Sequence, residues 1–368
     1  MEMGQDDVPV EERDFGDGHY LRPNLIQFYQ SENILIEGVT INDSPMWHVH
    51  PVLSENVTVQ GTTIEGHGPN GDGVNPESSK NVLIKNNNFN NGDDNIAIKS
   101  GKNADGRRIN VPSKNIYIIG NHMKDGHGAV TIGSEMSGGV ENVLAKDNVM
   151  DSPDLWNILR IKTNTDRGGY AKNINFEDNV AENVKDEVFK INTDYTNDGE
   201  ETTSEEHIPV VKDINIKNLE SNGGEYALKL EGLEQEPVEN ITITNANFNN
   251  VKNDAELKYI NDLKLDNVSI NGEEIYRLLP SEDAKQMEDI VQRMDENGDI
   301  SNSETTHLLS THLISVNQFE KTDQPQKVVK HLKSFNDLLE NQRKHEFISE
   351  KAYNLLKDDA EHLINKWD

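Results

Sequence analysis

A short motif recurs along the first three quarters of the chain: an Asn or Asp, an aliphatic residue, and then a stretch in which apolar and polar residues alternate. Residues 33–41 (NILIEGVTI) and 240–248 (NITITNANF) show this alternation, which is typical of half-buried β-strands and not of helices. The motif recurs at intervals of 22 to 40 residues, beginning at Asn33, Asn56, Asn81, Asn115, Asn142, Asn173, Asp213, Asn240 and Asp262. A minimum of 22 residues with variable excess predicts a parallel β-helix, a single-stranded solenoid whose coils stack strand on strand and whose extra residues form loops on one side.

The Asn that begins each repeat has its own physical rationale. Amide side chains stacked in consecutive coils can form a hydrogen-bonded ladder and satisfy backbone groups at the turn. The alternative is a series of unrelated Asn-rich turns, which so regular a recurrence disfavours. Asn-x-Ser/Thr triplets at Asn56, Asn240 and Asn267 belong to the same repeat, and we interpret them as part of it and not as glycosylation sites.

The pattern changes near the C-terminus. It stops near Asn271, and beyond Pro280 the apolar residues follow a helical spacing, as in residues 328–339 and 353–367. We therefore predict a lead-in segment over residues 1–23, a β-helix over 24–275 and a small all-α domain over 281–368, so that the chain as a whole is mainly β.

An acidic turn within this tail, residues 295–299 (DENGD), resembles part of a calcium-binding loop. Such a loop needs its Gly at the sixth position, whereas Gly298 stands at the fourth. We predict a turn between helices.

Composition excludes several classes of function. With 35 basic and 66 acidic residues the net charge is −31, which opposes binding to nucleic acid or to an anionic membrane. The chain has no cysteine, so disulfides, cysteine zinc sites, iron–sulfur clusters and a cysteine nucleophile are all excluded. No run of about 18 apolar residues predicts a membrane span, and the acidic N-terminus is unlike a signal peptide. We expect a soluble chain.

Chemically capable residues occur once per coil in five consecutive repeats. Similar offsets from the first Asn of each repeat place them on one side of the solenoid, about 5 to 10 Å apart. They are Asp72, Asp93 with Asp94, His127, Arg160 with Lys162, and Tyr195. Each group alone is an ordinary turn or strand edge; their joint placement indicates a site.

Carboxylates beside a His and two cations provide what glycoside hydrolysis of an acidic sugar requires. One carboxyl group must be protonated to release the leaving oxygen, and another must be ionised to activate water. Crowding of the carboxylates raises at least one pKa and keeps an acid available. An Arg and a Lys can hold the carboxylate of a uronic acid.

The ordered set Asn70-Gly-Asp, Gly92-Asp-Asp, Gly126-His-Gly and Arg160-Ile-Lys, followed by Tyr195, resembles the signature of glycoside hydrolase family 28, the polygalacturonases. The resemblance covers roughly residues 15–272, and residues 92–108 are most similar to bacterial exo-acting members. It implies a right-handed parallel β-helix, hydrolysis of α-1,4 bonds in polygalacturonate with inversion, and no cofactor or metal. It further implies an extracellular or cell-surface protein with a role in pectin degradation at cell walls.

Roles for individual residues follow from the same resemblance. It implies Asp93 as the general acid, Asp72 and Asp94 as the pair that activates water, and His127 as support for these carboxylates. The residues that it implies for holding galacturonate are Arg160, Lys162 and Tyr195. Pectate lyase-like and rhamnogalacturonan-hydrolysing activities remain alternatives, as does a non-catalytic pectin-binding or wall-associated solenoid.

Two departures from the family pattern concern the N-terminal half. Gly71 stands where members commonly have Thr. The family's N-terminal coils have no counterpart, because Asp17 and Gly18 lie in a stretch similar to a later family segment. We expect a chain that lacks several coils and their cap, a loss that exposes strand edges and weakens stability and activity.

Two basic islands stand out against the acidic background. Residues 96–108 and 155–172 each carry four basic residues and one acidic residue. A local cationic cleft can capture a polyanionic sugar chain, because distant acidic charges are screened beyond about 8 Å. From the first island we predict Lys99, Arg107 and Arg108 as further substrate-binding residues.

The helical tail resembles the small FIMAH module of secreted Gram-positive enzymes, on the basis of residues 347–354 (FISEKAYN). Its partner is not indicated by the sequence.

Overall fold

A computed structural model of the chain describes residues 22–196 and 206–368. Of the lead-in predicted over residues 1–23, all but residues 22 and 23 lie outside this described part, as do Asp17 and Gly18. The chain divides into two compact units, Met1–Glu274 and Ile275–Asp368.

The first unit is a parallel β-helix, as predicted from the repeat. Its strands form three faces, and each strand pairs in parallel with its equivalents in neighbouring coils. Val74 joins strands of face A in adjacent coils through single-residue bridges to Val49 and Ile96. A single helix, α1 (Asn103–Ile109), interrupts the succession of coils among the described residues.

Face A contains β1 (Ile26–Tyr29), β4 (Val49–Val52), β9 (Ile96–Ile98), β12 (Val130–Gly133), β15 (Leu159–Lys162), β18 (Glu187–Asn192), β20 (Tyr226–Glu231) and β22 (Asn253–Lys258). Face B contains β2 (Glu32–Glu37), β5 (Glu55–Gln60), β7 (Lys80–Lys85), β10 (Ser113–Ile119), β13 (Val140–Lys146) and β16 (Tyr170–Glu177). Face C contains β3 (Thr40–Asn42), β6 (Thr63–Gly66), β8 (Asn88–Asn91), β11 (His122–Met123), β14 (Val149–Asp151) and β17 (Val180–Val184). Three long strands run from face B into face C, β19 (Val210–Gly223), β21 (Val238–Asn249) and β23 (Ile260–Ile270), and the short β24 (Glu273–Glu274) pairs antiparallel with β23.

The predicted Asn ladder is present on the outside of face B. The first Asn or Asp of every repeat has left-handed backbone geometry, with φ between 53° and 59°, which Asn and Asp tolerate better than other residues with a side chain. From Asn56 to Asn173 each amide nitrogen donates to the amide oxygen of the preceding coil, at 2.8 to 3.3 Å, and Asn33 accepts the first of these bonds. The ladder therefore stabilises the turn and sets the coil-to-coil register.

A second ladder, not predicted from the sequence, is buried between faces B and C. It is formed by Asn87, Asn121, Asn148 and Asn179. The amides of Asn87, Asn121 and Asn148 each donate to the amide oxygen of the next coil at 2.9 to 3.0 Å, and that oxygen also accepts a backbone N–H. Because buried amides must be fully bonded, this ladder tolerates little change.

Alternation along the strands fills the interior of the β-helix with aliphatic and aromatic side chains. In β7, for example, Val82 and Ile84 are fully buried. Phe189 makes edge-to-face contacts with Phe176 and Phe248, at ring-centroid distances of 5.6 and 5.9 Å. Burial of each such side chain contributes roughly 1.5–3 kcal/mol.

The second unit is a bundle of four helices: α2 (Ala284–Glu296), α3 (Ser303–Lys321), α4 (Pro325–Lys344) and α5 (Glu350–Trp367). Ser349 caps α5 and accepts from the backbone N–H of Ala352 at 3.0 Å. Asn302 caps α3 and accepts from the backbone N–H of Thr305 at 2.9 Å. No helix in the described part of the chain is long and apolar enough to cross a membrane.

The acidic stretch 295–299 is the turn between α2 and α3 that the sequence predicted. Gly298 has a φ of 79°, in the left-handed region that ends many helices. Asp299 accepts a hydrogen bond from the Tyr276 hydroxyl at 2.7 Å and therefore has a structural partner within its own unit.

Candidate active site

The three aspartates predicted from the sequence come together on face A. Asp72 precedes the Val74 bridge, and Asp93 and Asp94 precede β9 in the next coil. The backbone N–H of Gly73 donates to the carbonyl of Asp94 at 3.0 Å, which fixes the two coils side by side. As a result, one carboxylate oxygen from each aspartate lies within 4.8 Å of the others.

Asp72 is the most crowded of the three. It is 3% exposed and accepts a hydrogen bond from the Asn75 amide at 2.8 Å. Burial, reinforced by the negative charge of Asp93, raises the pKa of Asp72 well above its ordinary value, and the nearby Lys99 only partly opposes this. Asp72 therefore tends to hold a proton.

Asp93 has the opposite character. Its Oδ1 lies 3.0 Å from His127 Nδ1 and accepts the backbone N–H of Asp94 at 2.9 Å. Burial alone would raise its pKa, but the hydrogen bond and charge of His127, together with Lys162, lower the pKa of Asp93 below its ordinary value. The Asp93 carboxylate and the His127 imidazole thus form a hydrogen-bonded pair.

Asp94 is bound on both oxygens. Its Oδ1 accepts from the Thr131 hydroxyl and its Oδ2 from the Lys162 ammonium, both at 2.9 Å. Gly128 makes room for this arrangement, since a Cβ there would come within 2.2 Å of the Thr131 hydroxyl oxygen. The second Gly of the Gly-His-Gly motif is therefore a steric requirement of the site.

An aromatic ring covers His127. The Trp156 indole stacks on the imidazole with centroids 4.0 Å apart and planes inclined by 31°. Lys185 lies 5.6 Å from the centre of the same indole ring. The stack and the bond to Asp93 together fix the position of the imidazole ring.

The predicted uronate-binding residues also lie together. Arg160 and Lys162 alternate along β15, so both side chains point to the outer surface of face A. The Arg160 guanidinium carbon and the Lys162 ammonium each lie 5.5 Å from the Tyr195 ring centre. The Nε of Arg160 is buried and has no hydrogen-bond partner among the described residues.

The three residues predicted from the first basic island have different surroundings. Lys99 lies beside the aspartates, and its charge acts on Asp72. Arg107, in α1, donates to the backbone carbonyl of Asp166 at 2.6 Å. Arg108 forms an exposed pair with Asp105 of its own helix at 2.6 Å. Neither contact of the two arginines involves the carboxylates, so the structure brings only Lys99 into the cluster.

Four residues that complete the site were not predicted: Trp47, Thr131, Glu135 and Trp156. Thr131 could have been found, because alternation along β12 places it on the same face as Arg160, its register partner in β15. The others lie in loops, where strand periodicity gives no signal.

The three aspartates could supply oxygen ligands to a cation. Their surroundings compete with one, since Lys162 occupies Asp94 and Asp72 favours its protonated form. These residues fit proton transfer better than metal coordination.

Comparison with known proteins gives consistent matches. The family model "Glycosyl hydrolases family 28" matches residues 14–270, and the FIMAH domain model matches residues 284–365. A probable polygalacturonase of Vitis vinifera is 35% identical over 229 residues, covering 61% of this chain and 46% of the relative. An exo-poly-alpha-D-galacturonosidase of Dickeya chrysanthemi is 30% identical over 218 residues, covering 57% of this chain and 36% of the relative.

Among solved structures, an exopolygalacturonase from Thermotoga maritima is similar with a TM-score of 0.67 and 48% identity, covering 75% of this chain and 61% of that chain. The chain thus spans less than half the length of the two curated relatives, 46% and 36%.

Proposed function

The chain belongs to glycosyl hydrolases family 28, and on that premise we propose that its β-helix hydrolyses α-1,4 bonds in polygalacturonate with inversion, acting from a chain end. The observation that carries the proposal is the juxtaposition of two groups. Three aspartates with carboxylate oxygens within 4.8 Å adjoin a pocket of Arg160, Lys162 and Tyr195 that suits a sugar carboxylate.

Asp93 delivers the proton to the leaving glycosidic oxygen. Its Oδ1 lies 3.0 Å from His127 Nδ1, and this hydrogen bond orients the carboxyl group toward the leaving oxygen. As the glycosidic bond lengthens, the leaving oxygen becomes more basic and draws the proton from Asp93. His127, held by the Trp156 indole, supports the acid through this hydrogen bond.

Asp94 acts as the base. The Lys162 ammonium on its Oδ2 and the Thr131 hydroxyl on its Oδ1 fix the orientation of the carboxyl group. Asp72, beside it, orients the attacking water, and burial together with the charge of Asp93 raises the pKa of Asp72. Proton uptake by Asp94 from water then completes hydrolysis in one displacement.

Arg160 binds the carboxylate of the galacturonate residue. The two terminal nitrogens of a guanidinium form a fork that matches a carboxylate, and Tyr195 lies beside this guanidinium as a wall of the pocket. A polymer with one carboxylate per sugar can bind there although the whole chain carries a net charge of −31.

The test is a time course of products from polygalacturonate. We expect monomer or dimer from the first minutes; a ladder of longer products contradicts the exo assignment. The first anomer seen by NMR is expected to be β, and an α-anomer contradicts inversion. An unsaturated product that absorbs in the near ultraviolet and is lost on chelation would indicate a pectate lyase, and binding without turnover would indicate a wall-associated solenoid.

Leaving-group dependence separates the acid from the base. An aryl α-galacturonide with an acidic phenol as leaving group needs little protonation. We expect Asp93→Asn to recover much of its lost activity on that substrate and Asp94→Asn to recover none. Equal recovery by both variants contradicts these roles.

We also place the protein outside the cell or at its surface, with a role in breaking down pectin in cell walls. A polymeric substrate of this size is met there, and the acidic exterior suits a secreted protein. Detection of the chain in the medium and its absence from washed-cell lysates is the expected result; exclusive recovery from the lysate contradicts it.

A further inference from the structure

One carboxylate in the cleft has no role in the mechanism above. Glu135 follows β12 and its Oε2 accepts from the Lys99 ammonium at 2.9 Å. Lys99 is 4% exposed, donates also to the carbonyl of Gly133 at 3.2 Å, and lies 4.7 Å from the centre of the Trp47 ring. These three contacts fix Lys99, and Lys99 in turn fixes Glu135.

Glu135 is an anion among cations. The charges of Lys99, Arg167 and Lys162 all act on it and, against the effect of burial, lower the pKa of Glu135 to about 2. Its side chain is 22% exposed, and its second oxygen, Oε1, has no hydrogen-bond partner among the described residues. The cleft therefore presents one ionised acceptor oxygen in a fixed place.

The functional groups of a galacturonate residue determine what Glu135 Oε1 can bind. The sugar carboxylate is repelled by Glu135 and is drawn to Arg160 instead. The ring hydroxyls are donors, and a carboxylate is the strongest acceptor that a protein offers them. A hydroxyl is thus the group on this substrate that complements Oε1.

We propose that Glu135, positioned by Lys99, accepts a hydrogen bond from a ring hydroxyl at O2 or O3 of galacturonate, and thereby restricts the enzyme to galacturonan that is not acylated at these oxygens. This rests on the proposed function and adds a substrate class to it. An ester removes the donor, leaves Glu135 Oε1 without a hydrogen-bond partner and adds bulk. A site built around such a hydrogen bond strongly rejects an analogue that lacks the donor. A hydrophobic site rejects an analogue that differs by one methylene group much less strongly.

The experiment compares initial kcat/KM on polygalacturonate and on the same polymer acetylated at O2 and O3. We expect the parent enzyme to prefer the free polymer at least about 100-fold. Glu135→Ala is expected to lower that preference to below about tenfold, chiefly through a higher KM on the free polymer. Glu135→Gln, which keeps an acceptor oxygen, is expected to retain most of the preference.

Two further variants make the result decisive. Removal of Glu135 alone leaves Lys99 buried without its counter-charge, so the double variant Lys99→Met/Glu135→Met is measured as well, with thermal unfolding to confirm its fold. Glu141→Gln is the matched control, because Glu141 is 20% exposed and pairs with Lys172 elsewhere on the β-helix, and its preference should equal the parent's.

The outcomes separate the two proposals. If the parent hydrolyses polygalacturonate but Glu135→Ala and the folded double variant keep the parent's preference, the role of Glu135 is wrong and the proposed function stands. If the parent enzyme prefers neither polymer, the role is likewise wrong. If it hydrolyses no galacturonan at all, both proposals fall.

Discussion

The two units of the chain bury carboxylates in opposite ways. In the helical unit Asp359 is fully buried: Arg277 Nε lies 2.7 Å from its Oδ1, and Ser281 donates its backbone N–H and its hydroxyl at 2.9 and 2.7 Å. In the β-helix Asp72 is buried as deeply, yet its nearest charges include the carboxylates of Asp93 and Asp94.

Burial raises the pKa of both Asp72 and Asp359, but the charges of the neighbouring groups with the largest effect differ in sign. Around Asp359 the next-largest effect is the attraction of Arg277, and it is followed by hydrogen bonds from Ser281. Around Asp72 it is the repulsion of Asp93. A carboxylate whose oxygens are all bonded within its own unit holds that unit together, whereas carboxylates crowded against one another cost stability and are kept for chemistry.

The largest expected effect tests the chemical side of this contrast. We expect Asp93→Asn to lower kcat on polygalacturonate by about 100- to 10,000-fold, because proton transfer to the leaving oxygen is lost. The thermal midpoint should stay within a few degrees. Asp178→Asn is the control: this Asp also pairs with a basic residue, Lys146, but on the outer surface of the β-helix. Full activity in Asp93→Asn contradicts the assignment.

The second effect tests the structural side. Asp359→Asn leaves the Arg277 cation buried without its partner, and we expect the helical unit to lose about 3 kcal/mol of its free energy of unfolding. Denaturant unfolding followed by circular dichroism at the helix band measures this. Hydrolysis by the β-helix should be unchanged at temperatures where both units are folded. A loss below about 0.5 kcal/mol would falsify the view that this ion pair holds the bundle together.

A third, smaller effect is a gain in stability, opposite in sign to the loss expected for Asp359→Asn. Asp72 has a folded-state pKa above its unfolded value, so its contribution to stability is present below the unfolded pKa and is lost as pH rises through the folded pKa. Asp72→Asn should therefore stabilise the β-helix above about pH 4, by roughly 0.5–2 kcal/mol, while activity falls. Thermal midpoints measured from pH 4 to pH 8 test this, and a variant that is less stable than the parent throughout the range contradicts it.

Strand periodicity explains which parts of this molecule could be predicted from its sequence. The outer Asn ladder and the aspartate cluster repeat with the coils, so stacking alone brings them together. The buried ladder from Asn87 to Asn179 also repeats, and a second Asn directly after a left-handed residue was the overlooked signal. Glu135 and Trp47 gave none, because their positions depend on loop paths and on Lys99.

The same distinction explains why Lys99 and Arg108, predicted together from local charge, have different surroundings. Lys99 is fixed in register by its bridge to Glu77 in the adjacent coil of face A. Arg108 lies in α1, a short helix whose direction the coil repeat does not determine. Charge along the sequence grouped these residues, whereas the coil register determines that Lys99 lies beside the aspartates.

The smallest expected effect concerns an exposed charge pair, which we expect neither to take part in catalysis nor to stabilise the fold. It is the reference for the buried carboxylates of the two units. Arg108 and Asp105 pair on an exposed surface, with 68% and 76% of their side chains accessible, and such pairs contribute little. We expect Arg108→Ala to leave the thermal midpoint unchanged and the KM for polygalacturonate within about twofold of the parent. Arg160→Ala, which removes the buried guanidinium with the unpartnered Nε, should raise KM at least about tenfold. Equal increases in KM for the two variants would contradict this expectation and would mean that α1 moves over the cleft when substrate binds. The residues that hold the sugar would then be determined by the island of charge and not by the register of face A.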